Sequence, residues 1–242
     1  MSRYLAHAIT RTAAAGPATG LRGQPLRWIP GGAVGLWATE WPGADRLARE
    51  DAFAHHELVA SLCAREPCLP VRFGTWLASE EAARRSVAEG EVRFAAAVDR
   101  VGDRQEIALT LLWRDGAPAA DADGAAVVDG SADPLDAGPG RAFLDRKRAV
   151  HAVTDERRGA AEALARRLGS ELASERADVR HETCPSAEVA LSMSLLARRD
   201  EAGALKARAA AAVAVLPGVR GVVSGPWPPY SFTEELVVAD GA

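Results

Sequence analysis

Asparagine is absent from this chain of 242 residues, and lysine, isoleucine and cysteine are scarce, with two Lys, three Ile and three Cys. Arginine supplies 27 of the 29 basic side chains and alanine 52 residues, which reads as a genomic bias and is no functional signal by itself. An odd number of cysteines builds no disulfide framework and suits a reducing cytosol. A basic excess is missing as well. The net charge is −4 and the pI near 5.8, whereas a nucleic-acid-binding domain shows a basic patch and a pI above about 9, so no nucleic-acid partner is expected. Long hydrophobic runs are missing too. The longest, Ala209–Leu216, has eight residues against the roughly 20 that span a bilayer. The first residues lack the apolar stretch of a signal peptide, so neither a membrane nor export is expected.

What is present is a balanced, 48% apolar composition, which places the chain among folded soluble proteins. The length suits one large or two small domains. The clearest seam is 115–140, where eight Ala, six Asp, five Gly and three Pro occur without Lys or Arg. Such a stretch buries too little apolar area to offset ordering and reads as a loop.

Before the seam, Tyr4–Thr10 reads as a strand and Leu26–Trp41 as a hairpin turning at Pro30-Gly31-Gly32. A helix is predicted over about 45–65 with an inward stripe of Leu47, Ala54, Leu58 and Leu62. Cys68–Gly74, broken by Pro70, reads as an edge strand or extended link. Ser79 caps a helix running to about Val101, weakened by Gly90, with Ala83, Val87, Phe94 and Val98 on one face. After it come a strand over Glu106–Trp113, a helix over about 141–176, and strands at Val179–Thr183 and Glu188–Ala197. A helix over about 200–216 and a strand at Val219–Ser224 follow, with a further edge strand expected at Leu236–Val238. The order strand, helix, strand, strand, helix, strand is that of a ferredoxin-like fold. The fold expected is α+β, with an N-terminal α+β domain over 1–103 and a ferredoxin-like βαββαβ domain over 104–242 whose insertion is 115–140.

Catalytic and metal chemistry find little footing. His55, His56, Cys63 and Cys68 cluster in sequence without a zinc-type pair, and two helical histidines beside buried thiols is the better reading. Gly31-Gly32-Ala33-Val34-Gly35 lacks the lysine and following helix of a phosphate loop. No G-x-S-x-G elbow occurs, and Glu80-Glu81 and Glu234-Glu235 read as first-turn charges and a solvated tail. The strands lack the aromatics of an RNA-reading sheet. No catalytic, metal or cofactor-binding residue is assigned, and no enzyme is expected.

Two segments stand out. Pro226-Trp227-Pro228-Pro229-Tyr230-Ser231-Phe232 sets three aromatics on a backbone stiffened by proline. It reads either as a staple closing the last strand onto the N-terminal domain or as a pre-ordered contact surface for a protein partner. In Leu69-Pro70-Val71-Arg72-Phe73-Gly74-Thr75-Trp76, the arginine reads as a guanidinium capping carbonyls or pairing with a carboxylate, with a ligand clamp as the alternative.

The same two segments carry a family resemblance. Leu69–Thr75 followed by Ser79-Glu80-Glu81 resembles the central motif of the GvpF/GvpL family of gas vesicle proteins, and Gly225–Phe232 resembles its terminal motif. Gly140-Arg141-Ala142-Phe143-Leu144 is similar to the start of its long helix, and Leu111-Leu112-Trp113 to the strand before its variable region. The resemblance implies an N-terminal α+β domain, a modified ferredoxin-like domain and a non-enzymatic role in gas vesicle formation inside the cell. It further implies binding of the hydrophobic shell protein, limiting its aggregation and assisting nucleation or assembly, in association with other accessory gas vesicle proteins. The partner-binding residues expected are Arg72, Phe73, Trp227, Tyr230 and Phe232. The alternative from another class is a small-molecule-binding regulatory protein using the cleft between the two domains.

Overall fold

A computed structural model of the chain describes residues 3–13, 17, 19–42, 46–114, 139–172 and 178–233, with side chains from 154 onward in the long helix. The expected strand at Leu236–Val238 and residues 115–138 of the expected loop lie outside the described residues.

The first sheet is built from β1 (Arg3–Thr10), β2 (Leu26–Pro30), β3 (Gly35–Trp41), and, after helix α1 (Arg49–Cys63), β4 (Cys68–Pro70) and β5 (Trp76–Leu77). The strands run β2-β3-β1-β4, all antiparallel, with β5 also pairing with β1. The expected hairpin is β2 and β3, closed by a bond from the Gly31 N–H to the Val34 carbonyl. Helices α2 (Glu80–Glu89) and α3 (Glu91–Val101) pack Ala83, Val87, Phe94, Val98 and Val101 onto Tyr4, Ala6, Ile9 and Leu36. Ser79 caps α2, its hydroxyl accepting the Ala82 N–H at 3.1 Å. The single helix expected here is two, divided at Gly90. A Cβ at that position would sit 2.3 Å from the Phe94 ring, so the ring occupies the room glycine leaves.

Helix α1 covers the other face, where Leu62 and half-buried Leu58 meet Ala8, Leu26 and Trp37. Its phase differs from the stripe predicted. Ala54 is exposed, and the buried positions are Asp51, His55, Val59 and Leu62. Two of these four are polar and bonded inside the protein, which hides the apolar period from a hydrophobicity reading.

The second sheet comprises β6 (Arg104–Trp113), β7 (Asp178–Thr183), β8 (Val189–Arg198) and β9 (Val219–Trp227), in the order β7-β8-β6-β9 and fully antiparallel. Helix α4 (Pro139–Leu172) joins β6 to β7, and α5 (Arg199–Ala214) joins β8 to β9. This is the βαββαβ order of the ferredoxin-like fold. Pro139 and Gly140, placed in the loop by their composition, already belong to α4, whose first turn tolerates proline because its N–H would have no helical partner. Ile107, Leu109 and Leu111 of β6 and Leu191, Met193 and Leu195 of β8 meet Ala165, Leu168 and Leu172 of α4 and Ala202, Leu205 and Ala209 of α5. The helices therefore cover one face, leaving Glu106, Ala108, Thr110, Ser192 and Ser194 on the other. No described helix is long and apolar enough to cross a membrane.

Candidate functional site

The terminal motif begins where β9 leaves the sheet. Gly225 has φ +104°, and a Cβ there would lie 2.6 Å from the Glu106 carbonyl oxygen, so glycine is required on both counts. The peptide bond from Gly225 to Pro226 is cis. The Gly225 carbonyl accepts from Lys206 Nζ at 2.6 Å.

Beyond the prolines, the chain folds across the open face of the second sheet and is held by one buried carboxylate. Glu106 accepts the Ser231 N–H at 2.9 Å and the Ser231 hydroxyl at 2.6 Å, and the Ser194 hydroxyl reaches the same oxygen at 2.8 Å. Arginines hold the next carbonyls, Arg180 donating to Ser231 O at 2.8 Å and Arg100 to Phe232 O at 3.2 Å. Phe232 is 4% exposed, with the Arg180 guanidinium 5.4 Å from its ring centre. Phe232 therefore anchors the segment from inside, and its ring is not part of the displayed surface.

Trp227 is the displayed aromatic, 39% exposed, its indole N–H donating to Ser224 Oγ at 3.1 Å. Its ring meets His56 of α1 edge-on at 5.1 Å between centroids, and Tyr230 stacks on the same imidazole at 6.2 Å. Burial pushes the Tyr230 phenol above its ordinary pKa, so it is protonated at neutral pH. Three residues before His56 on α1, Phe53 is 63% exposed. That spacing puts it beside His56 on the helix surface. The sequence reading missed Phe53; its position off the predicted stripe was the available signal.

The central motif meets α1 at His55. Cys68–Pro70 pairs with Ala8–Thr10 as an edge strand, and the Val71 N–H donates to the His7 carbonyl at 2.7 Å. Phe73 is half-buried against His55, 5.3 Å between ring centres, in a cluster with Leu5, Leu21 and Trp41. The role expected for the Arg72 side chain is corrected. It is exposed and its guanidinium meets no partner among the described residues; the Arg72 carbonyl, not the side chain, organises the turn. That carbonyl accepts from Thr75 N at 3.3 Å and Thr75 Oγ1 at 2.8 Å.

Beneath both motifs runs a buried polar chain that sequence reasoning did not find. His7 Nδ1 lies 2.9 Å from His55 Nδ1, His7 Nε2 lies 2.6 Å from Thr39 Oγ1, and His55 Nε2 lies 3.1 Å from the Val71 carbonyl. A carbonyl only accepts, so His55 carries its proton on Nε2 and accepts at Nδ1. His7 therefore donates from Nδ1 and accepts the Thr39 hydroxyl at Nε2. Burial pushes both imidazoles below their ordinary pKa, His7 well below it and His55 to about 4, which keeps both neutral. At the start of α1, Arg22 donates to Asp51 at 2.8 and 2.5 Å and the Ala48 N–H adds a third bond at 2.7 Å. The Arg22 bonds come first in holding the Asp51 carboxyl below its usual range.

Helix α1 thus links the two motifs through consecutive residues, His55 toward Val71 and Phe73 and His56 toward Trp227 and Tyr230. A direct link also exists, with Thr233 Oγ1 3.3 Å from the Pro70 carbonyl. The terminal segment closes onto α1 as a staple while leaving Trp227 partly in solvent. The four candidate metal ligands do not converge. Cys63 and Cys68 are joined in a disulfide, correcting the expectation of free thiols, and the two histidines are engaged as described. Among the described residues no group of three His, Cys, Asp or Glu side chains is placed to hold a metal. The cleft near the junction of the two sheets is lined by Asp99, Arg100, Gly102, Asp103, Arg104 and Arg198, with a volume near 550 Å3. This lining is charged, unlike the apolar walls of most small-molecule sites.

The chain is similar in fold to two solved structures. The gas vesicle protein GvpF from Anabaena sp. PCC7120 superposes with a TM-score of 0.69 at 13% identity, covering 97% of each chain. GvpF from Microcystis aeruginosa gives a TM-score of 0.69 at 11% identity, covering 96% of this chain and 99% of that one. No curated protein matches in sequence. The sequence model of the family described as gas vesicle synthesis protein GvpL/GvpF matches residues 3–234. Residues 3–234 are nearly the whole polypeptide, and the chain belongs to the GvpL/GvpF family of gas vesicle proteins.

Proposed function

We propose that within gas vesicle formation this chain is a non-enzymatic accessory protein that binds the hydrophobic shell protein, limits its aggregation and assists nucleation or assembly, alongside other accessory proteins. A wall subunit facing gas carries an apolar surface that aggregates before assembly, and a partner covering that surface lowers the free monomer concentration. The observation that carries the reading is Trp227, a large aromatic held half in solvent on a frame whose neighbours are buried and hydrogen-bonded. A side chain ordered before binding loses little entropy on contact, and tryptophan is a favoured interface anchor. In this reading Trp227 and Arg72 make the contact, Tyr230 and Phe73 support it at its edges, and Phe232 fixes the frame. The reading takes 1–103 and 104–242 as two domains with α1 at their junction, and places the protein at the gas vesicle inside the cell. Co-expression with the shell protein tests it. A complex should co-purify, and Trp227→Ala should weaken it while the variant keeps its native circular dichroism; absence of any complex with the wild-type chain rejects it.

A further inference from the structure

The Cys63–Cys68 bond sits where several contacts between the two sheets converge. Cys63 is the last residue of α1 and Cys68 the first of β4, with Cα atoms 5.2 Å apart. The final carbonyls of a helix have no partner within it. At α1 the last of them and the carbonyl of the capping residue Ala64 are taken by one side chain from the other sheet's unit. Arg199, which opens α5, donates from Nη2 to the Cys63 carbonyl at 2.6 Å and from Nη1 to the Ala64 carbonyl. A cation there also complements the negative end of the helix. The Arg199 backbone is itself tied to the turn between α3 and β6, its N–H donating to the Asp103 carbonyl at 3.2 Å. On the other side of the cross-link, β4 leads to Pro70, whose carbonyl is reached by Thr233.

We propose that Cys63 and Cys68 form a reversible thiol–disulfide modification site that exchanges with dithiol reductants, and that its oxidation state sets how firmly Arg199 ties the second sheet to α1. Cys63 is half-buried whereas Cys68 is 2% exposed, so an incoming thiolate attacks Cys63 Sγ. The bond between the two sulfurs breaks, and Cys68 Sγ leaves as a thiolate and takes up a proton. The second thiol of the reductant then displaces Cys63 Sγ from the mixed disulfide. The reductant departs as its own disulfide, having supplied two electrons, and the protein holds two thiols. A disulfide oxidant reverses the sequence. Once Cys63 is released from β4, the last turn of α1 frays and its two carbonyls leave the Arg199 fork. The proposal goes beyond the reading of function above and does not depend on it.

The full chain carrying Cys184→Ser isolates the pair, since Cys184 is the remaining cysteine. Alkylation under denaturing conditions after treatment with oxidised glutathione should label neither thiol, and after dithiothreitol both. Hydrogen exchange in peptides spanning 59–66 and 200–210 should then run about tenfold faster in the reduced protein, with 161–172 unchanged. Cys63→Ser together with Cys68→Ser should reproduce the reduced pattern in either buffer. Arg199→Gln should speed exchange in 59–66 without reduction. Two labelled thiols after oxidation, or equal exchange in 200–210 for the oxidised, reduced and doubly substituted chains, overturns the proposal.

Discussion

Glu106, buried on β6, receives both the backbone N–H and the hydroxyl of Ser231, a residue 125 positions later in the chain. One carboxylate thereby fixes where the polypeptide turns after β9, and with it where Trp227 points. Glu106→Gln keeps the shape and removes the charge, keeping an oxygen for the Ser231 N–H and turning the acceptor shared by the Ser194 and Ser231 hydroxyls into an NH2 donor. Hydrogen bonds to charged groups contribute roughly 1.5–3 kcal/mol, and a loss of that size in urea unfolding is expected. Unchanged stability would mean that the carboxylate does not hold the segment.

The two buried histidines make stability fall with acid. Both have native pKa values below the ordinary 6.5, His55 at about 4 and His7 well below its usual value. An unfolded histidine binds its proton first as the pH drops below about 6.5, so the unfolded state gains protons that the native state refuses. Stability is then fully present above that pH and declines toward pH 4, with a limiting slope of about 1.4 kcal/mol per pH unit for each histidine. Urea unfolding at pH 7.5, 6.0 and 5.0 measures it. Replacing His55 with Leu should lessen the slope between 6.5 and 4, and an equal slope in that variant would contradict the assignment.

The proton arrangement along Thr39, His7 and His55 is open to direct observation. Nitrogen NMR of the imidazoles should show His7 protonated on Nδ1 and His55 on Nε2. Thr39→Val removes the hydroxyl that lies 2.6 Å from His7 Nε2 and 3.3 Å from the Leu21 N–H. Leaving those buried groups unpaired should cost about 1–3 kcal/mol. The opposite tautomers would refute the chain of donors drawn above.

Two glycines should respond in opposite directions to alanine. Gly225→Ala forces a side chain into φ +104° and against the Glu106 carbonyl 2.6 Å away, and strained backbone of this kind costs about 1–3 kcal/mol. Gly203→Ala, in α5 with nothing within 4 Å of the added carbon, should stabilise by about 0.5–1 kcal/mol. Thermal midpoints of the two variants decide it.

The parts of the fold visible in sequence are those set by local rules. Ser79 capped its helix, Pro30-Gly31-Gly32 turned its hairpin, and the alternation of Ile107, Leu109 and Leu111 marked a strand with one buried face. The rest depends on contacts distant along the chain. The His7–His55 bond spans 48 positions, and neither histidine differs by spacing from a surface residue. Asp51 and His55, facing inward, shifted the apparent stripe of α1 onto exposed Ala54. The Cys63–Cys68 pair was hidden because an odd cysteine count argues against a framework and says nothing of one local link across Pro67. At the terminal segment the stiff proline frame was legible. Which aromatic it shows to solvent was not, because the answer lies with Glu106 and α1.

The central claim, that the surface around Trp227 shields an apolar shell subunit, is tested most directly by light scattering. Shell protein diluted from denaturant should scatter less when an equimolar amount of this chain is present, and the Trp227→Ala chain should suppress scattering markedly less. Equal scattering with and without the wild-type chain would contradict the account.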